Sequence, residues 1–249
     1  MIDVKSRGFS DLVTAPWRTG PADPGLEVHG TTVLALRFKD GVLLLADRRA
    51  TAGSLIMFDQ AEKIVPLDDS TVVAISGAFA RSVEICRFLK HSFKYYRRSA
   101  LHEMSVDGKL SEISKALAGN APMAMQGIGL FLPILATYDR IKDEFGVYFF
   151  DGAGARFQSS GYACAGSGSE RIRGVFEYLT RTHGPFEGRS LDQALTDSLQ
   201  MLDIASDLDS ATGGFSKTPP VARVLDRNGT REVDSLQLST AISKVLAGT

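Results

Sequence analysis

The stretch from Thr31 to Arg49, TTVLALRF-KD-GVLLLADRR, constrains the fold of this chain more than any other. Two β-rich apolar runs stand on either side of Asp40-Gly41, a dipeptide that favours tight hairpins, so they read as an antiparallel strand pair. Order begins abruptly there. Residues 1 to 30 hold four Gly, three Pro and scattered charges without helical or strand periodicity, the composition of a flexible leader and not of a core.

Beyond the hairpin, TVVAISG at 71–77 predicts a further strand. Val83, Cys86, Leu89 and Phe93 then recur at helical spacing, giving an amphipathic helix to about Arg98. A second helical segment is expected over 111–129. LPILATYD, FGVYFFD (ending at Asp151-Gly152) and GYACAGSG read as strands, followed by helices over about 169–182 and 190–206. PPVARVLD returns to strand, and Ala241 to Leu246 closes in a helix. Strands and helices come in segregated runs, which predicts an α+β architecture of layered sheets with helices packed outside, not an alternating parallel fold. With no internal repeat, linker or low-complexity tract after residue 31, one domain follows the leader.

The 249 residues are 44% hydrophobic with a net charge of -1, which suits a single globular domain. So balanced a charge gives no electrostatic case for nucleic acid or an anionic membrane. Tyr95-Tyr96-Arg97-Arg98 reads as the solvated end of a helix. The leader has no continuous apolar run of the secretory kind, and Ile128 to Ala136 contains a Pro and falls short of a membrane span. Cys86 and Cys164 both lie in apolar surroundings and offer neither a disulfide framework nor metal-ligand spacing, so a cytoplasmic location is expected.

Several catalytic signatures fail on their letters. GAGAR at 152 and GSGSE at 166 lack the third Gly of a dinucleotide loop, and His102-Glu103 is followed by Val106 where a zincin needs its second His. No serine occupies a nucleophile elbow. His29, His91, His102 and His183 are dispersed, so neither metal nor cofactor is expected.

What remains centres on Thr31. A hydroxyl is a poor nucleophile until its proton is removed, and a free α-amino group, with a pKa of roughly 7.7–8.0, accepts that proton near neutrality. Both groups would sit on one residue if the chain were cut between Gly30 and Thr31, and Gly30 has no side chain to hinder attack on its carbonyl. Asp47 ends an apolar strand, where a carboxylate is costly unless partnered. Arg49, two residues on, is expected on the same face of that strand. Lys63, in AEKIVP, also lies between apolar neighbours and wants an anionic partner. An Asp47–Lys63 pair beside Thr31 would lower the amine pKa and orient the hydroxyl.

Gly30-Thr31-Thr32, the stretch from Asp47 to Gly53, Lys63, ISGA at 75–78, AGSGS at 165–169 and DSATGG at 209–214 together resemble a proteasome β subunit of the bacterial 20S type. The likeness runs over essentially all of 31–249. It implies the N-terminal-nucleophile hydrolase fold, a four-layer α/β/β/α sandwich of two antiparallel sheets between helix layers. It also implies that residues 1–30 are a propeptide removed by self-cleavage and 31–249 the catalytic domain. Thr31 would be the nucleophile, Asp47 and Lys63 its charge partners, and Gly77 the backbone donor to the oxyanion. Ser167, Asp209 and Thr212 would form the supporting network, with Arg49 beside it, and the backbone of Thr51 would pair with an extended substrate. The first specificity pocket would be lined by Ala50, Ala61, Val65, Ile75, Phe79 and Val83, all apolar, implying cleavage after apolar or aromatic residues. The implied partners are a proteasome α subunit, further β copies in a heptameric ring of a stacked four-ring core, an ATP-dependent regulatory ring and protein substrates. Two other roles stay open at this point: a structural ring subunit without chemistry, and an amidohydrolase of the same fold acting on small amides.

Overall fold

In the computed structural model of the chain, residues 30–215 and 217–248 are described. Of the leader expected over residues 1–30, residues 1–29 lie outside them. The hairpin forms as β1 (Thr32–Phe38) and β2 (Gly41–Ala46), with Val33 paired to Ala46 and Phe38 to Gly41. Its turn is Lys39-Asp40 and not Asp40-Gly41. Gly41 is instead the first residue of β2, where a Cβ would run into the Leu225 carbonyl of the next strand. Close backbone approach, not turn conformation, accounts for that glycine.

β1 and β2 lie at the centre of a five-stranded antiparallel sheet. β10 (Tyr162–Gly166) pairs outside β1, and β11 (Val221–Asp226) and β12 (Gly229–Glu232) continue beyond β2. The second antiparallel sheet runs in simple order through β5 (Ile64–Asp68), β6 (Thr71–Ala74), β7 (Ile134–Asp139), β8 (Glu144–Phe150) and β9 (Arg156–Ser159). β3 (Ala50–Ala52) and β4 (Leu55–Phe58) make a separate two-stranded ribbon.

Because side chains alternate along a strand, each sheet has two apolar faces to bury. Val33, Ala35, Val42 and Leu44 of the first sheet meet Val72, Ala74, Ile134, Ala136 and Val147 of the second to form the inner core. On the outer face of the first sheet, Leu34, Leu36, Leu43 and Leu45 pack on α3 (Ser169–His183), α4 (Leu191–Leu208) and α5 (Ser235–Ala247). Val73, Ile75, Leu135 and Phe150 on the outer face of the second pack on α1 (Phe79–Ala100) and α2 (Val106–Ala124). The chain is thus the expected α/β/β/α sandwich. Among the described residues no helix is long and apolar enough to cross a membrane.

Differences from the expectation lie at boundaries and at short elements. α2 starts at Val106 because the Ser105 hydroxyl accepts the Gly108 N–H, and it ends at Ala124, short of Gly129. α5 starts at Ser235, where Asp234 accepts the N–H groups of Leu236 and Gln237. β3, β4, β5, β9 and β12, none of them expected, are at most five residues long.

Candidate active site at Thr31

β1 begins at Thr32, so the start of this interior strand sets the position of Thr31, which is only 4% exposed. Four contacts hold its neighbourhood. The Thr32 N–H donates to Asp47 Oδ1 at 2.8 Å, and the Ser167 hydroxyl donates to the Thr31 carbonyl at 3.3 Å. The Thr32 and Thr212 hydroxyls share a hydrogen bond of 2.6 Å. Gly166, in the left-handed region at φ 101°, lies so close to the Thr31 carbonyl that a Cβ there would collide with it.

Asp47 follows the last residue of β2 and is buried, as is Lys63, which is 0% exposed just ahead of β5. Their charges meet at 2.7 Å. The other Asp47 oxygen accepts the N–H groups of Arg49 and Gly213, each at 2.9 Å, so the carboxylate is fully engaged. Lys63 Nζ also donates to the carbonyls of Arg49 (2.5 Å) and Gly30 (3.3 Å). Burial pulls the Lys63 pKa down, the Arg49 guanidinium adds to this, and Asp47 opposes it. The ammonium therefore stands against the carbonyl of the residue that precedes Thr31.

Arg49 differs from the expectation in its route. β2 stops at Ala46, so strand alternation does not place Arg49 beside Asp47. The link runs through its main chain, while the guanidinium turns to Asp59 and to the carbonyls of Ser210 and Thr212. Asp209 Oδ2 accepts the hydroxyls of Ser167 (2.6 Å) and Thr212 (2.7 Å). Part burial pushes the Asp209 pKa up, but these two hydrogen bonds, the Ala211 N–H and Arg171 outweigh it and hold it below the usual carboxylate value. Ser167, Asp209 and Thr212 are thus one network, tied at both ends to the Thr31-Thr32 segment.

Gly77 has φ 101° and turns the chain from β6 into α1. It faces Phe131 in an isolated bridge whose hydrogen bonds belong to Ser76–Leu132 and Ala78–Leu130, which leaves the Gly77 N–H directed to the opposite edge. Gly77, Gly166 and Ser167 line one cavity of about 580 Å³. Of the expected specificity residues, Val65, Phe79 and Val83 pack half-buried against Ile75 in one apolar cluster. Ala50 and Ala61 are buried but lie outside that cluster, on the segment joining Asp47 to Lys63. Thr51 pairs with Ile56, and the far edge of β3 meets no strand among the described residues. The Thr51 hydroxyl and Ala211 crowd Gly30 so closely that a Cβ on Gly30 would overlap them.

Sequence reasoning assigned no role to Thr32, Gly166 or Gly168. A Cβ on Gly168 would collide with the Thr32 hydroxyl, so this glycine lets the Thr32–Thr212 contact form. The signal available was the second threonine and the alternating glycines of AGSGS. No group of three or more metal-ligating side chains occurs among the described residues.

The chain matches the family described as "Proteasome subunit" over residues 27–217. It is 34% identical to a proteasome subunit beta of Acidimicrobium ferrooxidans, covering 88% of this chain and 80% of that one. It is 33% identical to a proteasome subunit beta of Streptomyces griseus (88% and 76% covered) and 32% identical to one of Acidothermus cellulolyticus (88% and 76%).

Proposed function

This chain belongs to the proteasome β-subunit family, and from that premise we propose that it is a threonine-type endopeptidase that makes its own catalyst by cutting between Gly30 and Thr31. The observation that carries this reading is the buried Asp47–Lys63 pair, with the Lys63 ammonium 3.3 Å from the Gly30 carbonyl oxygen. A structural subunit has no use for so costly an arrangement at one peptide bond.

In the precursor, the Thr31 hydroxyl attacks the Gly30 carbonyl carbon. Negative charge grows on the Gly30 oxygen, where Lys63 meets it. As collapse breaks the C–N bond, the Thr31 hydroxyl proton passes through water to the departing Thr31 nitrogen, and the acyl group remains as an ester on the Thr31 oxygen. Water hydrolyses the ester, releasing the leader with a Gly30 carboxylate and freeing the Thr31 amine. In the mature chain that amine takes the proton of its own hydroxyl, directly or through a water, and the oxygen attacks the substrate carbonyl. The Gly77 N–H, directed away from the Phe131 bridge, stabilises the oxyanion. The amine, now protonated, returns its proton to the leaving nitrogen, and water releases the acyl group.

Substrate runs in extended form along the open edge of β3 at Thr51. The apolar group of Val65, Ile75, Phe79 and Val83, with Ala50 and Ala61, receives the residue before the cut. Proteasome β subunits assemble with α subunits in a ring core, and here the assembly would be a heptameric β ring in a stacked four-ring chamber of the cytoplasm. An ATP-dependent ring would feed it unfolded protein.

The test is intact mass of the protein produced with a proteasome α subunit, for wild type and Thr31→Ala. Loss of residues 1–30 in the wild type alone, with peptide hydrolysis confined to it, is the expected result. A full-length wild type inside an assembled ring would overturn the peptidase reading in favour of a structural subunit.

A further inference from the structure

Asp59 is a charged group next to this machinery that the reaction does not use. Asp59 directly follows β4, and its Oδ1 lies 3.2 Å from Arg49 Nε with both side chains half-buried. Arg49 joins several parts of the site. Its N–H binds Asp47 and its carbonyl binds Lys63, while Nη1 donates to the carbonyls of Ser210 and Thr212 at 3.1 and 3.2 Å. A guanidinium is planar, so its donors move together. One edge reaches the 209–213 loop, and the Nε edge needs an anchor to fix the plane.

Resting on the reading above, we propose that Asp59 is a positioning residue for catalysis: it sets the plane of Arg49, and through Arg49 the placement of Lys63 and Thr212. The path is continuous. From Asp59 it passes to the guanidinium and on to the carbonyl of Thr212, whose hydroxyl meets Thr32 and Asp209. From the same arginine the main chain reaches Lys63 and Asp47. Asp59 also closes the foot of the β3–β4 ribbon, which neither main sheet holds in register, and so fixes the segment that leads to Lys63. Ala61 adds a second tie there, its N–H donating to the Arg48 carbonyl at 2.9 Å. Asp59 itself touches neither the nucleophile nor the Gly30 carbonyl.

The experiment uses the full chain produced with a proteasome α subunit. Asp59→Asn removes the charge at constant shape, Asp59→Glu keeps it, and Asp59→Asn is also made on an Arg49→Gln background. Readouts are kcat and KM for a peptide with an apolar residue before the cut, together with the thermal midpoint. Asp59→Asn should lower kcat about tenfold, since small misplacements of a reacting group are costly. KM should stay within about twofold, because binding is not touched. The midpoint should move by no more than about 2 °C. Asp59→Glu should recover most of the rate, and Asp59→Asn should add nothing to Arg49→Gln. Wild-type kcat in Asp59→Asn overturns the proposal. So does a loss that follows the thermal midpoint and is not recovered by Glu, which would make Asp59 a fold residue. A wild type that hydrolyses no peptide sinks the catalytic reading, and this proposal with it.

Discussion

Lys63 Nζ lies 2.7 Å from Asp47 Oδ1 with both side chains fully shielded from water. Removing one partner strands the other charge in the core. Lys63→Met should therefore cost about 3–5 kcal/mol in denaturant unfolding, with Asp47→Asn/Lys63→Met costing less than the two single changes added together. Peptide hydrolysis should fall at least about 10²-fold in each. A double variant as destabilised as the sum would show that the two charges do not act as a pair.

The lowered Lys63 pKa has a definite sign. Below its folded value the amine is charged and the ion pair stands; above it the pair is gone. The alkaline limb of kcat/KM should therefore begin below the ordinary lysine value of 10.5. Stability moves the other way. A folded pKa below the unfolded one means that Lys63 burdens the fold while charged, so its contribution improves as pH rises from the folded value towards 10.5. Paired pH profiles of rate and unfolding check both, and a rate limb at or above 10.5 would contradict the burial argument.

Gly30 is crowded by the Thr51 hydroxyl and by Ala211. Gly30→Ala should displace the carbonyl from Lys63 and slow loss of the leader by about tenfold or more, followed as precursor mass against time. Thr51→Ala makes room, so the double variant should process faster than Gly30→Ala alone. Equal rates would locate the obstruction at Ala211.

Thr32 and Thr212 share a buried 2.6 Å hydrogen bond. Thr32→Val keeps the shape and removes the hydroxyl, which should cost about 1–2 kcal/mol in unfolding experiments. Thr212 retains Asp209 as acceptor, so Thr212→Val, which breaks both contacts, should be the worse of the two. The reverse order would mean that Thr32 is the anchor of the network.

Val65, Ile75, Phe79 and Val83 offer no charge to a substrate side chain. Peptides with Leu, Phe or Tyr before the cut should be hydrolysed about tenfold faster than those with Lys or Asp. A panel in which a basic residue is cut fastest would remove these residues from the specificity pocket.

Much of this architecture is legible in the letters because it rests on local rules. Apolar runs such as LALRF and VLLLA carry strand period and burial together, and Val83 to Phe93 carries helical period. Helix starts were less legible. Ser105 and Asp234 are ordinary polar residues until their side chains are seen to cap. The short strands gave no signal: LIMF of β4 is apolar yet wholly exposed, and GTRE of β12 is polar. Their pairing comes from neighbours and not from pattern.

The site divides in the same way. Which residues could do the chemistry was readable from composition at each point: a threonine after a glycine, a carboxylate ending an apolar strand, a lysine between apolar neighbours. That Asp47 and Lys63 meet, that Arg49 engages the 209–213 loop through its side chain, and that Thr32 finds Thr212 across 180 positions of sequence came from the packing of the layers. Hydrogen bonds and ion pairs act over about 3 Å, and residues this far apart in the chain reach that range only when two sheets and their helices close on one another.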